Sequence, residues 1–225
     1  MLAGALACVS SPDLSSFGAS GVWGYVSLVP HAGLETAAHG GGAYADRRVA
    51  GARRVDYDRP GFSVVYLDRA GSTKTTNLRL VEGLGGLRYE PPYAAARVGG
   101  SLRVSNETDF ERALSAPAAG WLGVLAPGES ADLAMPATGL LELFAPGAAE
   151  ARASVFVVPG AFATVDLHGR YELVDVPPGH YRLAVWHPRF PPTARDVELR
   201  VGLVERVDLS LGVGLEESRS SHAAP

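Results

Sequence analysis

The chain has 225 residues, a formal net charge of −4 and a pI near 5.9. Hydrophobic residues make up 47% and charged residues 20%, so a core can form, and no broad positive field exists to hold nucleic acid. The one cysteine, Cys8, excludes an intramolecular disulfide and a zinc site built on two or more cysteines, while 27 glycines and 16 prolines argue for many short segments over long helices.

Residues 1–20 read as a leader and tether. Met1 to Cys8 is short, apolar and rich in small residues, and Ser10-Ser11-Pro12-Asp13 follows. This resembles the end of a bacterial lipoprotein signal peptide, with cleavage before Cys8 and lipidation of its thiol. The alternative is an ordinary terminus with an incidental cysteine. No later segment approaches the roughly 20 apolar residues of a spanning helix, so any membrane attachment is through the lipid anchor only.

Gly21 to Val29 has the aromatic and β-branched content of a strand. Residues 30–45 read as a loop holding His31, His39 and three consecutive glycines. Arg47, Arg48, Arg53 and Arg54 precede Asp56 and Asp58; the run is read as a solvated edge rather than an anion or lipid-headgroup patch. Phe62 to Asp68 is a strong strand, and Leu78 to Tyr89 holds two weaker ones broken by glycines. A turn at Gly99-Gly100 enters a strand ending at Val104. Phe110 to Leu114 reads as a helical turn stopped by Pro117. Gly139 to Phe144 is a further strand.

The last third is the clearest. Ser154 to Val158 is a continuous apolar run, and Phe162 to Val165 is short. Arg170 to Val176 and Tyr181 to Trp186 flank a Pro177-Pro178-Gly179 turn. Val197 to Val201 and Val204 to Leu211 alternate with period two around Gly202. Many short strands at this spacing imply an all-β protein built as a β-sandwich. Residues 214–225 are polar and read as a disordered tail.

Two stretches carry a resemblance. Thr164-Val-Asp166-Leu-His-Gly169-Arg-Tyr171, followed by Pro177-Pro178-Gly179-His-Tyr181, resembles the carboxypeptidase regulatory-like module, a transthyretin-like sandwich. Gly169 and Gly179 supply turn geometry that side chains resist, and Tyr171 and Tyr181 are expected on adjacent antiparallel strands. Upstream, Phe62 to Leu67, Tyr89-Glu-Pro-Pro-Tyr93, Val98 to Asn106, Trp121-Leu-Gly, Gly128-Glu-Ser and Gly139 to Phe144 are similar to the bacterial plastocyanin-like, or methylamine-utilisation-protein-like, envelope proteins that join a cupredoxin to such a module. The resemblance implies a cupredoxin-like domain over 21–151 and a carboxypeptidase regulatory-like domain over 152–213. Six strands are few for the second sandwich, and Gly21 to Val29 is a candidate to complete it, fusing the two units into one body.

That family's blue-copper site uses two histidines, a cysteine and a methionine, with the thiolate as the indispensable soft donor. The resemblance puts the first histidine position at Glu111, after Asn106-Glu-Thr-Asp109, and the remaining three at Ala145, Ala148 and Ala151. None carries a thiolate, imidazole or thioether, so neither a bound metal nor a cofactor is expected.

Little other chemistry is legible. A site formed by His31, His39 and Asp46 is the basis of an alternative reading as a divergent copper or zinc carrier. His187 reads as a hairpin hydrogen-bonding residue, and His168 and His180 as turn residues. No Gly-x-Ser-x-Gly elbow exists, and Ser72-Thr73-Lys74-Thr75-Thr76 lacks the glycines of a phosphate loop. Asp109 and Glu111 are sequence neighbours, not a pair across a cleft. Tyr89, Tyr93 and Trp121 are candidates for an aromatic ligand platform. The sequence thus points to a non-catalytic protein of the cell envelope, periplasmic or an outer-membrane-anchored lipoprotein. Its role would be binding or assembly with an envelope protein or a glycan.

Overall fold

The computed structural model describes residues 20–30, 56–72 and 74–213. The leader with Cys8, the loop with His31, His39 and Asp46, the arginine cluster and the tail at 214–225 lie outside the described residues. Apart from one short 3-10 turn at Pro117–Ala119, the described elements are strands, so the all-β expectation holds. None of the described helices is long and apolar enough to cross a membrane.

In chain order the strands are β1 (Gly21–Val29), β2 (Val64–Leu67), β3 (Thr75–Gly83), β4 (Gly86–Glu90), β5 (Tyr93–Arg97), β6 (Ser101–Asn106), β7 (Arg112–Ala116), β8 (Trp121–Leu125), β9 (Ser130–Ala134), β10 (Gly139–Ala145), β11 (Ala148–Val158), β12 (Phe162–Thr164), β13 (Arg170–Leu173), β14 (Gly179–His187), β15 (Phe190–Leu199), β16 (Val204–Arg206) and β17 (Leu209–Gly212). They form two sandwiches. One packs the sheet β4-β3-β6-β9 against β5-β11-β10-β7-β8, around Leu78, Leu80, Leu102, Leu114, Leu143 and Val155. The other packs β13-β1-β16, with β17 also on β1, against β12-β2-β14-β15, around Val22, Leu67, Tyr171, Leu183, Val185 and Leu211.

The division of the chain differs from the expected one at residue 151, which falls inside β11. β1 runs antiparallel to β13 and parallel to β16 and β17, so it is central to the second sandwich. β2 lies between β12 and β14 in the same sandwich. The first sandwich, β3 to β11, is therefore inserted between two strands, β2 and β12, that are hydrogen-bonded neighbours. Gly21 to Val29 completes the second sandwich, as its short strand count suggested.

The way in and the way out cross at close quarters. Leu67 donates its N–H to Ala161 across 2.8 Å, and Arg97 reaches both Gly71 and Pro159 carbonyls, the latter at 3.4 Å. A Cβ at Gly160 would run into the carbonyl oxygens of Leu67 and Arg69, and one at Gly71 (φ +88°) would lie 2.7 Å from the Ala161 Cα. Glycine is needed where two backbones touch.

Two local expectations are corrected. The helical turn over 110–114 is instead β7, whose Leu114 is fully buried; its alternation of inward Leu114 and Ala116 follows the strand period. Tyr171 and Tyr181 are not on adjacent strands: β13 and β14 lie in opposite sheets, and the two rings enter the same core from either side. The turn glycines behave as read, with φ of +84° at Gly169 and +150° at Gly179.

β2 and the C-terminal end of β11 are covered on both faces. In β2, Val65 and Leu67 enter the second core while Val64 and Tyr66 face the first sandwich. In β11, Val155 and Val157 enter the first core while Phe156 and Val158 face the second sandwich. The seam holds Phe156 stacked on Trp186 (centroids 4.2 Å apart, planes at 4°), Phe62 stacked on Tyr93 at 5.5 Å, and Tyr66 edge-on to Phe156 at 5.7 Å. Each such pair adds about 1 kcal/mol beyond its buried area. Trp186→Ala is expected to cost about 3 kcal/mol. It should also split a single calorimetric unfolding transition into two, because each core remains whole while the contact between them is lost.

Two buried tyrosines make a second test. Burial raises the hydroxyl pKa of both well above the usual tyrosine value. Tyr171 donates to the Val207 carbonyl at 2.5 Å, whereas the Tyr89 hydroxyl is buried without a partner among the described residues. Leaving a polar group unmatched costs about 1–3 kcal/mol. Tyr89→Phe should therefore raise the urea midpoint, and Tyr171→Phe should lower it by the loss of about 1–2 kcal/mol.

Candidate functional site

The end of the first sandwich that holds the four expected ligand positions is well defined. β10 and β11 form a hairpin over Pro146-Gly147, with Ala145 paired to Ala148 and a register shift beside Phe144. Ala145 and Ala151 are buried among the core residues of that sandwich. β7 runs antiparallel to β10 with Ser115 opposite Phe144, so its N-terminal end, and exposed Glu111 before it, points toward the hairpin tip. The topology thus gathers Glu111 and the three alanines at one end.

The loop that carries Glu111 is fixed by Asn106. This residue is fully buried, and its amide nitrogen donates to the carbonyls of Phe110 and Leu125, both at 2.8 Å. Its amide oxygen accepts from the Thr108 backbone N–H (3.1 Å) and hydroxyl (2.8 Å). With both amide hydrogens committed and no surface, Asn106 cannot serve as a glycan acceptor in the folded state, although Asn106-Glu-Thr has the acceptor spacing. A depression of about 360 Å³ lies at the hairpin, lined by Phe144 to Ala148 and Arg152. The Arg152 guanidinium sits 5.1 Å from the Phe144 ring centroid. Apart from Arg152, its side chains carry no polar group. Among the described residues, no three of His, Cys, Asp or Glu lie together as a metal site.

The aromatic platform is not assembled. Tyr89 is buried in the first core at 1% exposure, because β4 turns that side chain inward opposite Leu80. Tyr93 stacks on Phe62 at the seam. Trp121 is partly buried at the opposite edge of the five-stranded sheet and covers Gly123. The three serve a core, a seam and a sheet edge.

Two surface features were invisible to sequence reading because their strands are distant in the chain. On the outer face of β1, Trp23 lies between the guanidiniums of Arg170 (5.7 Å) and Arg206 (5.3 Å). Those arginines pair with Glu172 at 2.7 Å and Asp208 at 2.9 Å, so the face is charge-balanced. A cleft of about 420 Å³ separates β15 from β16, with Val197, Leu199 and Val207 in its floor and Arg195, Glu198 and Glu205 among its walls.

Comparison with known proteins gives one family match: residues 144–212 fit the model of the carboxypeptidase regulatory-like domain. The match begins in the inserted sandwich, whereas the sandwich that contains most of it also needs β1 and β2. No curated protein matches the chain. Solved structures with some likeness include a purple cupredoxin from Nitrosopumilus maritimus, 14% identical over 36% of this chain and 98% of its own, with a TM-score of 0.32. A Cu(I) amicyanin variant is 15% identical over 41% and 97%, with a TM-score of 0.33. A reduced amicyanin variant is 17% identical over 37% and 81%, at 0.31. These likenesses are weak, and the architecture given above rests on the strand pairing itself.

His187 closes β14 and is 7% exposed. Its Nδ1 accepts the Arg189 N–H at 3.0 Å, it hydrogen-bonds the Pro60 backbone, and its ring tilts over Phe190 at 5.0 Å. Burial, then the Arg189 charge, lowers its pKa below the usual 6.5, against the Pro60 bond. The unfolded chain therefore takes up this proton at a higher pH than the folded protein does. The stability from neutral His187 is complete above about pH 6.5 and falls as the pH drops below that value toward the folded pKa. Urea midpoints measured across this range should decline for the parent chain, and His187→Gln should remove that part of the decline.

Proposed function

We propose that the chain is a non-catalytic protein of the cell envelope that acts by binding or assembly, on a cupredoxin-like sandwich whose copper ligands have been replaced. The observation that carries this reading is the residue set at the hairpin end of the inserted sandwich. Glu111, Ala145, Ala148 and Ala151 occupy the positions that the resemblance gives to the ligands. A methyl group has no lone pair, and one exposed carboxylate cannot replace a thiolate and two imidazoles. The sandwich persists without them because its core is apolar and the loop before Glu111 is held by Asn106, not by a metal.

The envelope location rests on the leader-like Met1 to Cys8, with lipidation at Cys8 as the anchor. The partner would be an envelope protein or a glycan. The non-catalytic reading is supported by the chemistry of the hairpin end, where Arg152 is the one ionisable group lining the depression.

Calorimetric titration of the full chain with copper and zinc, together with the visible spectrum of the copper mixture, tests the proposal. The expected result is no submicromolar binding and no thiolate-to-copper absorption band. Submicromolar binding lost on changing His31 and His39 to alanine would instead establish the loop-histidine carrier.

A further inference from the structure

Among the described residues β8 is an edge of the five-stranded sheet: its one strand partner is β7, and the Leu125 carbonyl at its end is taken by the Asn106 amide. Alternate N–H and C=O groups along its other side therefore point away from the sheet. Natural proteins protect such edges with charge, proline or a bulge. Several other edges carry charge, as with Arg88 and Glu90 on β4, Asp132 on β9, Asp196 and Glu198 on β15, while the short β12 and β17 carry none. β8 carries none: it reads Trp-Leu-Gly-Val-Leu, and no charged residue occurs from Ala113 through Gly128. Its outward side chains, Leu122 and Val124, are 71% and 55% exposed.

We propose that β8 is a self-association edge, on which a second copy of this chain pairs its own β8 antiparallel to join the two sheets. Charge favours this occupant. An edge with no charge meets its own image without like-charge repulsion, whereas a single-sign edge such as β9, with Asp132, would set like charges close together. The sequence also fits a two-fold axis. With Gly123 on the axis, Leu122 of one copy faces Val124 of the other on the outer surface, twice over, and such apolar cross-strand pairs are the unit of sheet stabilisation. Gly123 brings no side chain to the axis, and the space a Cβ there would take is filled by the Trp121 ring, 2.7 Å away. Pro117 and Pro127 bracket the strand, which confines pairing to Trp121–Leu125 and leaves one centred register. A five-residue edge buries less than the roughly 1,600 Å² of a standard interface, so association is concentration-dependent.

Sedimentation velocity of the full chain over a concentration series tests this, with amide exchange measured at both ends of the series. The expected result is a shift from one to two chain masses as concentration rises, with slower exchange in Leu122 to Leu125 at the high end. Val124→Lys and Leu122→Lys, both at exposed positions, should keep the parent's thermal unfolding midpoint and remain monomeric. A parent chain that sediments as a monomer throughout overturns the proposal. So does self-association that survives in the two folded lysine variants, which would place the contact elsewhere.

Discussion

The architecture depends on an apolar seam between two sheets, each already buried on its other face. β2 and β14 present Val64, Tyr66 and Trp186 to it, and β5 and β11 present Tyr93, Ala95, Phe156 and Val158. Val64, Val65 and Val158 have no exposed surface. A strand between two cores has no polar face to offer, so it is written as a continuous apolar run in place of an alternating one. That is why β2 reads Val-Val-Tyr-Leu and the end of β11 reads Val-Phe-Val-Val. The stacked Phe156–Trp186 pair fixes how the two sheets meet, because aromatic rings prefer particular offsets where aliphatic chains do not.

The seam and the strand crossing solve one geometrical problem. An inserted sandwich must leave its host and return at nearly the same point, and β2 and β12, being paired, supply two ends a few ångströms apart. Gly71 and Gly160 let the two connections touch, and the seam then holds the insertion against the host sheet. The matched segment, 144–212, is continuous in sequence, but the sandwich it falls in is not. It borrows β1 and β2 from ahead of the insertion. The carboxypeptidase regulatory-like likeness is thus carried by local turns, while the completeness of the sandwich is carried by strands far upstream.

The same distinction explains what could be read from the sequence. The Asp166 to Gly169 turn, the Pro177-Pro178-Gly179 turn, the Gly202 turn and the apolar strands were legible because their signals span a few residues. The boundary at 151 was misplaced because a linear reading assigns each strand to its neighbours in the chain, and β1 and β2 pair with strands beyond the insertion. Strand pairing also put Tyr171 and Tyr181 in facing sheets. At the candidate site, residue type was enough to show that donor atoms are absent from Ala145, Ala148 and Ala151. It was not enough for the aromatic platform: exposure depends on which face of β4 is covered, and Tyr89 happens to face the core.

The seam also limits which surfaces of this fold stay open to a partner. In many sandwiches the sheet faces are available, but here one face of β12-β2-β14-β15 and part of the five-stranded sheet are already consumed by each other. The outer face of β1 is occupied by arginine–tryptophan contacts whose charges are paired. Among the described residues, the hairpin end, the β15–β16 cleft, the outer face of β4-β3-β6-β9 and the sheet edges remain. Of the edges, β8 combines unpaired backbone with exposed apolar side chains and no charge. An edge of that composition is a liability in a solitary molecule, because it templates pairing with any other strand. The proposed pairing with an identical strand would remove that liability by covering both the backbone groups and the apolar side chains of the edge.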